Sequence, residues 1–410
     1  MRMLPRAVTE RVHAALADTP VVVINGPRQA GKTTLVRSLA HPSDSVFLSL
    51  DDTTSREAAL ADPRAFVDRR VERLIIDEVQ LVPELFRAIK ATVDRDRRAG
   101  RFLLTGSSRL IDAPDMADAL VGRVEPLELW PFSQGEIEGQ SETFVDRVFR
   151  DPRELMGTVD LDRNELIDRI LVGGFPEATK RAGARRSSWF ESYATTTTRS
   201  VIRSLSEIER LAEIPRLLRL CAARTGTELN VAAIASDLAV PARTMDGYLA
   251  LLVTAFLVRL IPAWSRNLSN KVVRRPKLFL TDSGLAAHLI GATKGSVTRP
   301  EGPLGQLLET FVATEILKQA SWAAARPMLG HFRDRAGAEV DLVLEHPDGR
   351  IVGVEVKATS TPRAADFHGL RFIADRLGDR FHFGVLFHTA PEATPFGPRL
   401  AALPVSALWR

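Results

Sequence analysis

The chain has 410 residues, of which 45% are hydrophobic, 26% charged and 6% aromatic, a composition that excludes a disordered, collagenous or membrane-embedded protein and leaves room for two to three domains. A single cysteine, Cys221, excludes a disulfide framework and a multi-cysteine zinc site, and no stretch reaches the ~20 apolar residues of a membrane helix, so the expectation is a cytoplasmic protein with no membrane association. The net charge is only +4, yet residues 141–300 hold 24 basic against 17 acidic side chains, and only eight of the 55 basic residues are lysines. A lysine in this chain raises the question of what an arginine would not supply there.

The run Val21–Ile24 reads as a strand, and the stretch Thr34 to Ala40 as a helix. Between them stands Gly26-Pro27-Arg28-Gln29-Ala30-Gly31-Lys32-Thr33-Thr34, the pattern G-x-x-x-x-G-K-T in the strand-to-helix context a phosphate-binding loop requires. Glycines at 26 and 31 let successive backbone N–H groups curl toward phosphate oxygens, Lys32 supplies a compact charge for the β and γ phosphates, and the Thr33 hydroxyl is a ligand for Mg²⁺. The expected ligands are therefore ATP and Mg²⁺.

A second apolar strand, Leu74-Ile75-Ile76, ends in Asp77-Glu78. Asp77 is placed to hold the magnesium and Glu78 to polarise the attacking water. Val46–Leu50 is a strand between these two, and Phe102–Leu104 a strand ending in Thr105-Gly106-Ser107-Ser108. The order resembles the AAA+ branch of P-loop ATPases, and the resemblance implies that Ser107 or Thr105 reads the γ-phosphate. It also implies that Arg123 reaches a neighbouring subunit's phosphates, beside the alternative of an ordinary surface arginine.

Asp146 to Asp168 is polar, with Pro152 and Gly157, and reads as a connection between domains. Gly173-Gly174-Phe175-Pro176-Glu177 marks a rigid turn, followed by mostly helical sequence with an apolar stripe through Ile214, Leu217 and Leu220. From Leu229 to Leu280 the rhythm is two short helices, Val231 to Ala239 and Arg243 to Ala255, then a strand from Phe256 to Trp264 and a strand over 278–280. Basic residues Arg266, Lys271, Arg274, Arg275 and Lys277 sit in the hairpin between those strands. This is the outline of a winged helix-turn-helix, either a DNA-binding unit or a packing module for the ATPase or a protein partner.

After a helix from Leu304 to Gln319, two alternating runs follow, 338–345 and 351–358, which read as strands joined by a turn centred on Asp348. In that register, facing residue numbers sum to 696. Val340, Leu342 and Leu344 then share an apolar face with Val352, Val354 and Val356, while Asp341 lies beside Glu355 and Glu339 beside Lys357. Two facing carboxylates repel unless a cation lies between them, so Asp341 and Glu355 are candidate ligands of a divalent metal with Lys357 as the catalytic cation. The pattern resembles the PD-(D/E)xK nuclease family, which implies Glu309 as a further metal ligand.

The ordered set of GPRQAGKT, LIIDEVQ, LLTGSS, GGFPE, KLFLTDSGL and the EVD…EVK pair resembles a large prokaryotic group of AAA+ ATPases with a carboxyl-terminal nuclease-like domain. The expected fold is α/β: an AAA+ domain with a parallel sheet over residues 1–145, a helical and winged-helix region over 146–300, and a restriction-endonuclease-like α/β domain over 301–410. Three functions stay open: an ATP-driven DNA-processing nuclease, an ATPase switch that binds nucleic acid without cutting, and a toxin or stress-response regulator acting through a protein partner or a homo-oligomer.

Overall fold

A computed structural model describes residues 4–40, 44–109, 116, 119–158, 161–203, 213–265, 275–334 and 337–410. The chain divides into two units, Met1–Phe132 with Thr254–Phe256, and Ser133–Val253 with Leu257–Arg410. The first unit ends at Phe132, and residues 146–300 and 301–410, apart from Thr254–Phe256, lie together in the second.

The first unit is built on five parallel strands, β1 (Val21–Asn25), β2 (Ser45–Ser49), β3 (Arg73–Asp77), β4 (Phe102–Gly106) and β5 (Val124–Glu128), in the order β2-β3-β4-β1-β5. The central strands are apolar at consecutive positions because both faces are covered. Val21, Val23, Leu74, Ile76, Phe102 and Leu104 pack on one side with Leu85, Phe86, Ile89 and Val93 of the helix Glu84–Arg95. Val22, Ile24, Ile75 and Leu103 pack on the other with Val12 and Leu16 of the helix Thr9–Asp18 and with Leu35 and Val36 of Lys32–Ser38. Parallel registers bring Asn25, Ser49, Asp77, Gly106 and Glu128 to the same edge, where the connecting loops carry the chemistry.

The second unit holds two sheets. A small antiparallel one has the order β6-β8-β7, with β6 (Thr227–Glu228), β7 (Val258–Ile261) and β8 (Lys277–Leu280), and the helices Val231–Leu238 and Ala242–Thr254 lie between β6 and β7 in sequence. The expected hairpin residues Arg266, Lys271 and Arg274 lie outside the described residues. The larger sheet is mixed, ordered β13-β14-β12-β11-β10-β9, from β9 (Met328–Arg333), β10 (Glu339–Glu345), β11 (Ile351–Val356), β12 (Phe381–His388), β13 (Thr394–Pro395) and β14 (Leu400–Pro404). The helix His368–Leu377 makes the crossover between the parallel pair β11 and β12.

The β10–β11 hairpin has the expected register, with Leu342 facing Val354 and Val343 facing Gly353. The expected faces are corrected at one point. A bulge against β9 between Val340 and Val343 breaks the alternation, so Val340 joins Val343 and Ile351 in the core formed with Leu370 and Ile373. Asp341 sits at that irregularity. The expected connection at 146–168 is also corrected. The helix Phe144–Arg150 buries Phe144, Val145, Val148 and Phe149, the Phe144 ring lies 5.3 Å from that of Phe387, and Arg350 donates to the Phe149 carbonyl at 2.6 Å. Its polar residues are the solvent face of a packed helix, which composition alone does not separate from a linker.

A candidate nucleotide site and a carboxylate pocket

The loop from Gly26 to Gly31 leaves β1 at the carboxyl edge of the first sheet. Gly26 has φ 156°, and a Cβ there would lie 2.1 Å from the Leu129 carbonyl oxygen, so only glycine fits beside the chain that follows β5. Gly31, at φ 98°, turns the chain into the helix that starts at Lys32. The Lys32 ammonium folds back on its own loop and donates to the carbonyls of Gly26 and Pro27, both at 2.9 Å. Burial pulls its pKa down to about 8; Glu78 and Asp77 oppose that shift, and Arg28 adds to it. The ammonium here rests on neutral oxygens.

Asp77 gathers three hydroxyls. Thr33 donates to its two carboxylate oxygens at 3.1 and 3.0 Å, Ser49 donates at 3.4 Å, and Thr105 donates as well. Thr105 in turn accepts the Glu78 N–H at 3.1 Å, which helps hold Glu78 in a left-handed conformation at φ 56°. One carboxylate oxygen of Glu78, Oε2, accepts from Ser107 at 2.9 Å and from the Gln80 amide, which also donates to Ser107 at 3.1 Å. The structure thus brings together Lys32, Thr33, Asp77, Glu78, Thr105 and Ser107. Sequence reading left Thr105 and Ser107 as alternatives; the Thr105 hydroxyl lies on Asp77 and the Ser107 hydroxyl on Glu78. Gln80 was missed, although it stands in the quoted LIIDEVQ motif, because a lone glutamine carries no pattern.

Arg123 lies elsewhere. It precedes β5 at the amino-terminal end of the sheet, where its carbonyl accepts from Val21, and its guanidinium pairs with Asp94 at 2.6 Å. Strand polarity carries Arg123 to the sheet edge opposite the chain's own loop, a position that leaves both expectations for it, a neighbouring subunit's phosphates and an ordinary surface role, as they stand. At the loop itself, Arg6 donates to the Ala30 carbonyl at 2.7 Å and to the Trp130 carbonyl at 2.6 Å.

In the second unit the expected acids do meet, but around a lysine. Lys277, 2% exposed at the start of β8, points its ammonium at Glu309 (2.6 Å), Asp341 (2.9 Å) and Glu339 (3.3 Å). The second Asp341 oxygen accepts the Val356 N–H at 2.9 Å. Lys357, just past β11, pairs with Glu355 of that strand at 2.6 Å, which corrects the expected partner Glu339. Burial, reinforced by Asp341, pushes Glu355 up to about 8, with Lys357 opposing; the same two causes push Glu309 up to about 8, with Lys277 opposing. Burial disfavours the charge on Lys277, yet Asp341 and Glu309 outweigh it and its pKa is raised. Among the described residues, no group of three or more His, Cys, Asp or Glu side chains has the arrangement to hold a metal ion, so the expected set Glu309, Asp341 and Glu355 does not fit one as it stands. Lys277 is therefore removed from the basic hairpin surface to which its sequence position assigned it.

Three stretches of the chain match family models: an AAA domain over residues 18–138, a domain of unknown function (DUF8612) over 163–296, and a domain of unknown function (DUF4143) over 304–408. The uncharacterized protein Rv2008c of Mycobacterium tuberculosis and its counterpart Mb2031c in Mycobacterium bovis are each 30% identical over 362 residues, covering 87% of this chain and 74% of theirs. Among solved structures, the Walker-type ATPase PABY2304 of Pyrococcus abyssi aligns at 15% identity and a TM-score of 0.41, covering 70% of this chain and 96% of that one. The RuvB branch-migration motor of Thermotoga maritima aligns at 18% and 0.28, covering 62% and 89%. Among the described residues no helix is long and apolar enough to cross a membrane.

Proposed function

Since the chain belongs to the AAA-type ATPases and to the family of these two mycobacterial proteins, we propose that ATP hydrolysis at the Gly26–Thr34 loop drives a switch in how the second unit engages DNA. The observation that carries the ATPase half is the convergence of Lys32, Thr33, Asp77 and Glu78 on one sheet edge. The Thr33 hydroxyl and the Asp77 carboxylate are an oxygen donor pair that suits Mg²⁺. Thr33 and Asp77 would hold the ion, which would supply positive charge against the phosphate oxygens of the nucleotide. Lys32 exchanges two backbone carbonyls for phosphate oxygens, a trade that favours its charged form. Glu78 orients the attacking water and takes its proton. Ser107 and the Gln80 amide both hold its Oε2, neutral donors that fix the carboxylate and leave Oε1 to accept from the water.

The DNA half rests on less. The strand–helix–helix–strand–strand order of β6 to β8 supports a winged-helix reading, with exposed Arg243 on the second helix and exposed Arg275 before β8 as phosphate contacts. The helix, hairpin and crossover order around Asp341, Glu355 and Lys357 supports a nuclease-like ancestry for the carboxyl-terminal sheet.

Turnover and duplex binding of the wild type and of Glu78→Gln test this reading. Glu78→Gln should bind ATP as the wild type does and lose turnover by roughly 10² to 10³-fold, since only water activation is removed. Arg243→Glu with Arg275→Glu should weaken binding of all duplexes alike and flatten the salt slope while ATP turnover without DNA is kept. Unchanged turnover in Glu78→Gln moves the base elsewhere, and unchanged duplex binding in the arginine pair removes the DNA half.

A further inference from the structure

We propose that Lys277 is a tethered cation standing where a nuclease would hold its divalent metal, so that the carboxyl-terminal domain binds no catalytic ion and does not cut. The inference deepens the nuclease-like reading of that domain. Its basis is the ammonium of Lys277, which meets Glu309, Asp341 and Glu339 at 2.6, 2.9 and 3.3 Å, from the helix Leu304–Trp322 and from β10. Glu309 and Asp341 are two of the three acids that the sequence pattern assigns to a metal, and the third, Glu355, is taken by Lys357 at 2.6 Å. The remaining Asp341 oxygen is spent on the Val356 N–H. A metal entering the pocket must displace a buried ammonium held by three carboxyl groups, and that lysine has no exit to water because it is 2% exposed.

Charge placement points the same way. The ammonium groups of Lys277 and Lys357 already face Glu309, Asp341, Glu339 and Glu355, so each of these acids has a cation of the chain itself beside it. The pocket also has a structural use for the lysine: Lys277 pairs in the backbone ladder with Glu228 and with Ile261, so its side chain ties the small sheet to the large one. The Ala263–His331 bridge, with Trp264 donating to the His331 carbonyl at 2.6 Å, makes a second tie at the same place. An arginine, with its broader planar head and fixed fork, does not reproduce a compact charge among three acids, which accounts for a lysine in a chain that uses so few.

The test is Mn²⁺ binding at pH 7 to the full chain, free of nucleotide and carrying Asp77→Asn to silence the nucleotide-site magnesium position. The lysine-containing protein should take up no Mn²⁺ at the pocket up to millimolar concentration. Lys277→Ala should gain one site, lose it again when Asp341→Asn is added, and show a Tm that rises with Mn²⁺. If the lysine-containing protein already binds Mn²⁺ at a site abolished by Asp341→Asn, the ammonium yields to metal and the proposal fails. It fails equally if folded Lys277→Ala gains no site. Should Lys277→Ala not fold, the first comparison decides alone. Duplex cleavage is read in parallel: cutting with Mn²⁺ that Asp341→Asn abolishes overturns the inference, whereas loss of duplex binding alone bears only on the proposed DNA half.

Discussion

Lys32 in the first unit and Lys277 in the second are both buried beside acids and do opposite things. Lys32 leans on two backbone carbonyls and its pKa falls to about 8; Lys277 faces three carboxyl groups and its pKa rises. Their acids differ in the same sense. Asp77 and Glu78 are held by the hydroxyls of Thr33, Ser49, Thr105 and Ser107 and by an amide, all neutral donors that an ion or a water can replace. Asp341, Glu309 and Glu355 are held by ammonium groups of the chain itself. A lysine waiting for a ligand is one whose present partners are too weak to offset its burial, and a lysine already satisfied is one whose partners carry the opposite charge.

The contrast predicts first that Lys32→Ala removes function without removing stability. ATP affinity and turnover should fall together by roughly 10² to 10³-fold, because both ground and transition state lose a phosphate contact. The melting temperature should barely move, since the deleted ammonium was desolvated against neutral oxygens. A Lys32→Ala protein that melts well below the wild type would mean that the loop carbonyls depend on the ammonium for their packing.

Lys277→Met is the counterpart, with the larger effect on folding. It keeps the volume and leaves Glu309, Asp341 and Glu339 without their counter-charge, so denaturant unfolding should show a loss of about 3 to 5 kcal/mol, the range for breaking one side of a buried ion pair. Turnover of ATP in the folded fraction should stay near that of the wild type. A loss below ~1 kcal/mol would place Lys277 among ordinary surface pairs and erase the difference between the two sites.

The nucleotide site was legible because its chemistry is local. Gly26 to Thr33 is contiguous, Asp77 and Glu78 end an apolar strand, and the parallel sheet needs no further information to put them at one edge. The hairpin register at Leu342 and Val354 was legible for a similar reason, a short turn between two alternating runs. What failed was non-local. Nothing in KLFLTDSGL says that its lysine turns inward to meet Glu309 on a later helix, and a basic hairpin pattern assigns it to the surface instead. The bulge at Val340 and Val343 is invisible for the same reason, since it is set by the pairing with β9 and not by the alternation of β10 itself.

The smallest expected effect is a pH dependence that runs in opposite senses for the two units. In the second unit Glu309 and Glu355 stand at about 8, and so does Glu142, raised first by burial and then by Glu315, with Ser133 and the Gly135 N–H opposing. An unfolded glutamate titrates near ~4.3, so between there and 8 the folded chain holds protons that the unfolded chain has released. Stability contributed by these groups is complete below ~4.3 and is lost as pH rises through 8. In the first unit Lys32 stands at about 8 against ~10.4 for an unfolded lysine, so above 8 the unfolded chain holds the extra proton and this contribution grows with pH. Melts of the full chain should therefore drop by a few degrees from pH 5 to 8. Glu142→Gln should remove part of that drop, because the amide is neutral throughout, and Lys32→Met should remove the opposing gain above pH 8. A melting temperature level from pH 5 to 8 in the wild type, or a slope untouched by Glu142→Gln, would mean that these carboxyls reach water.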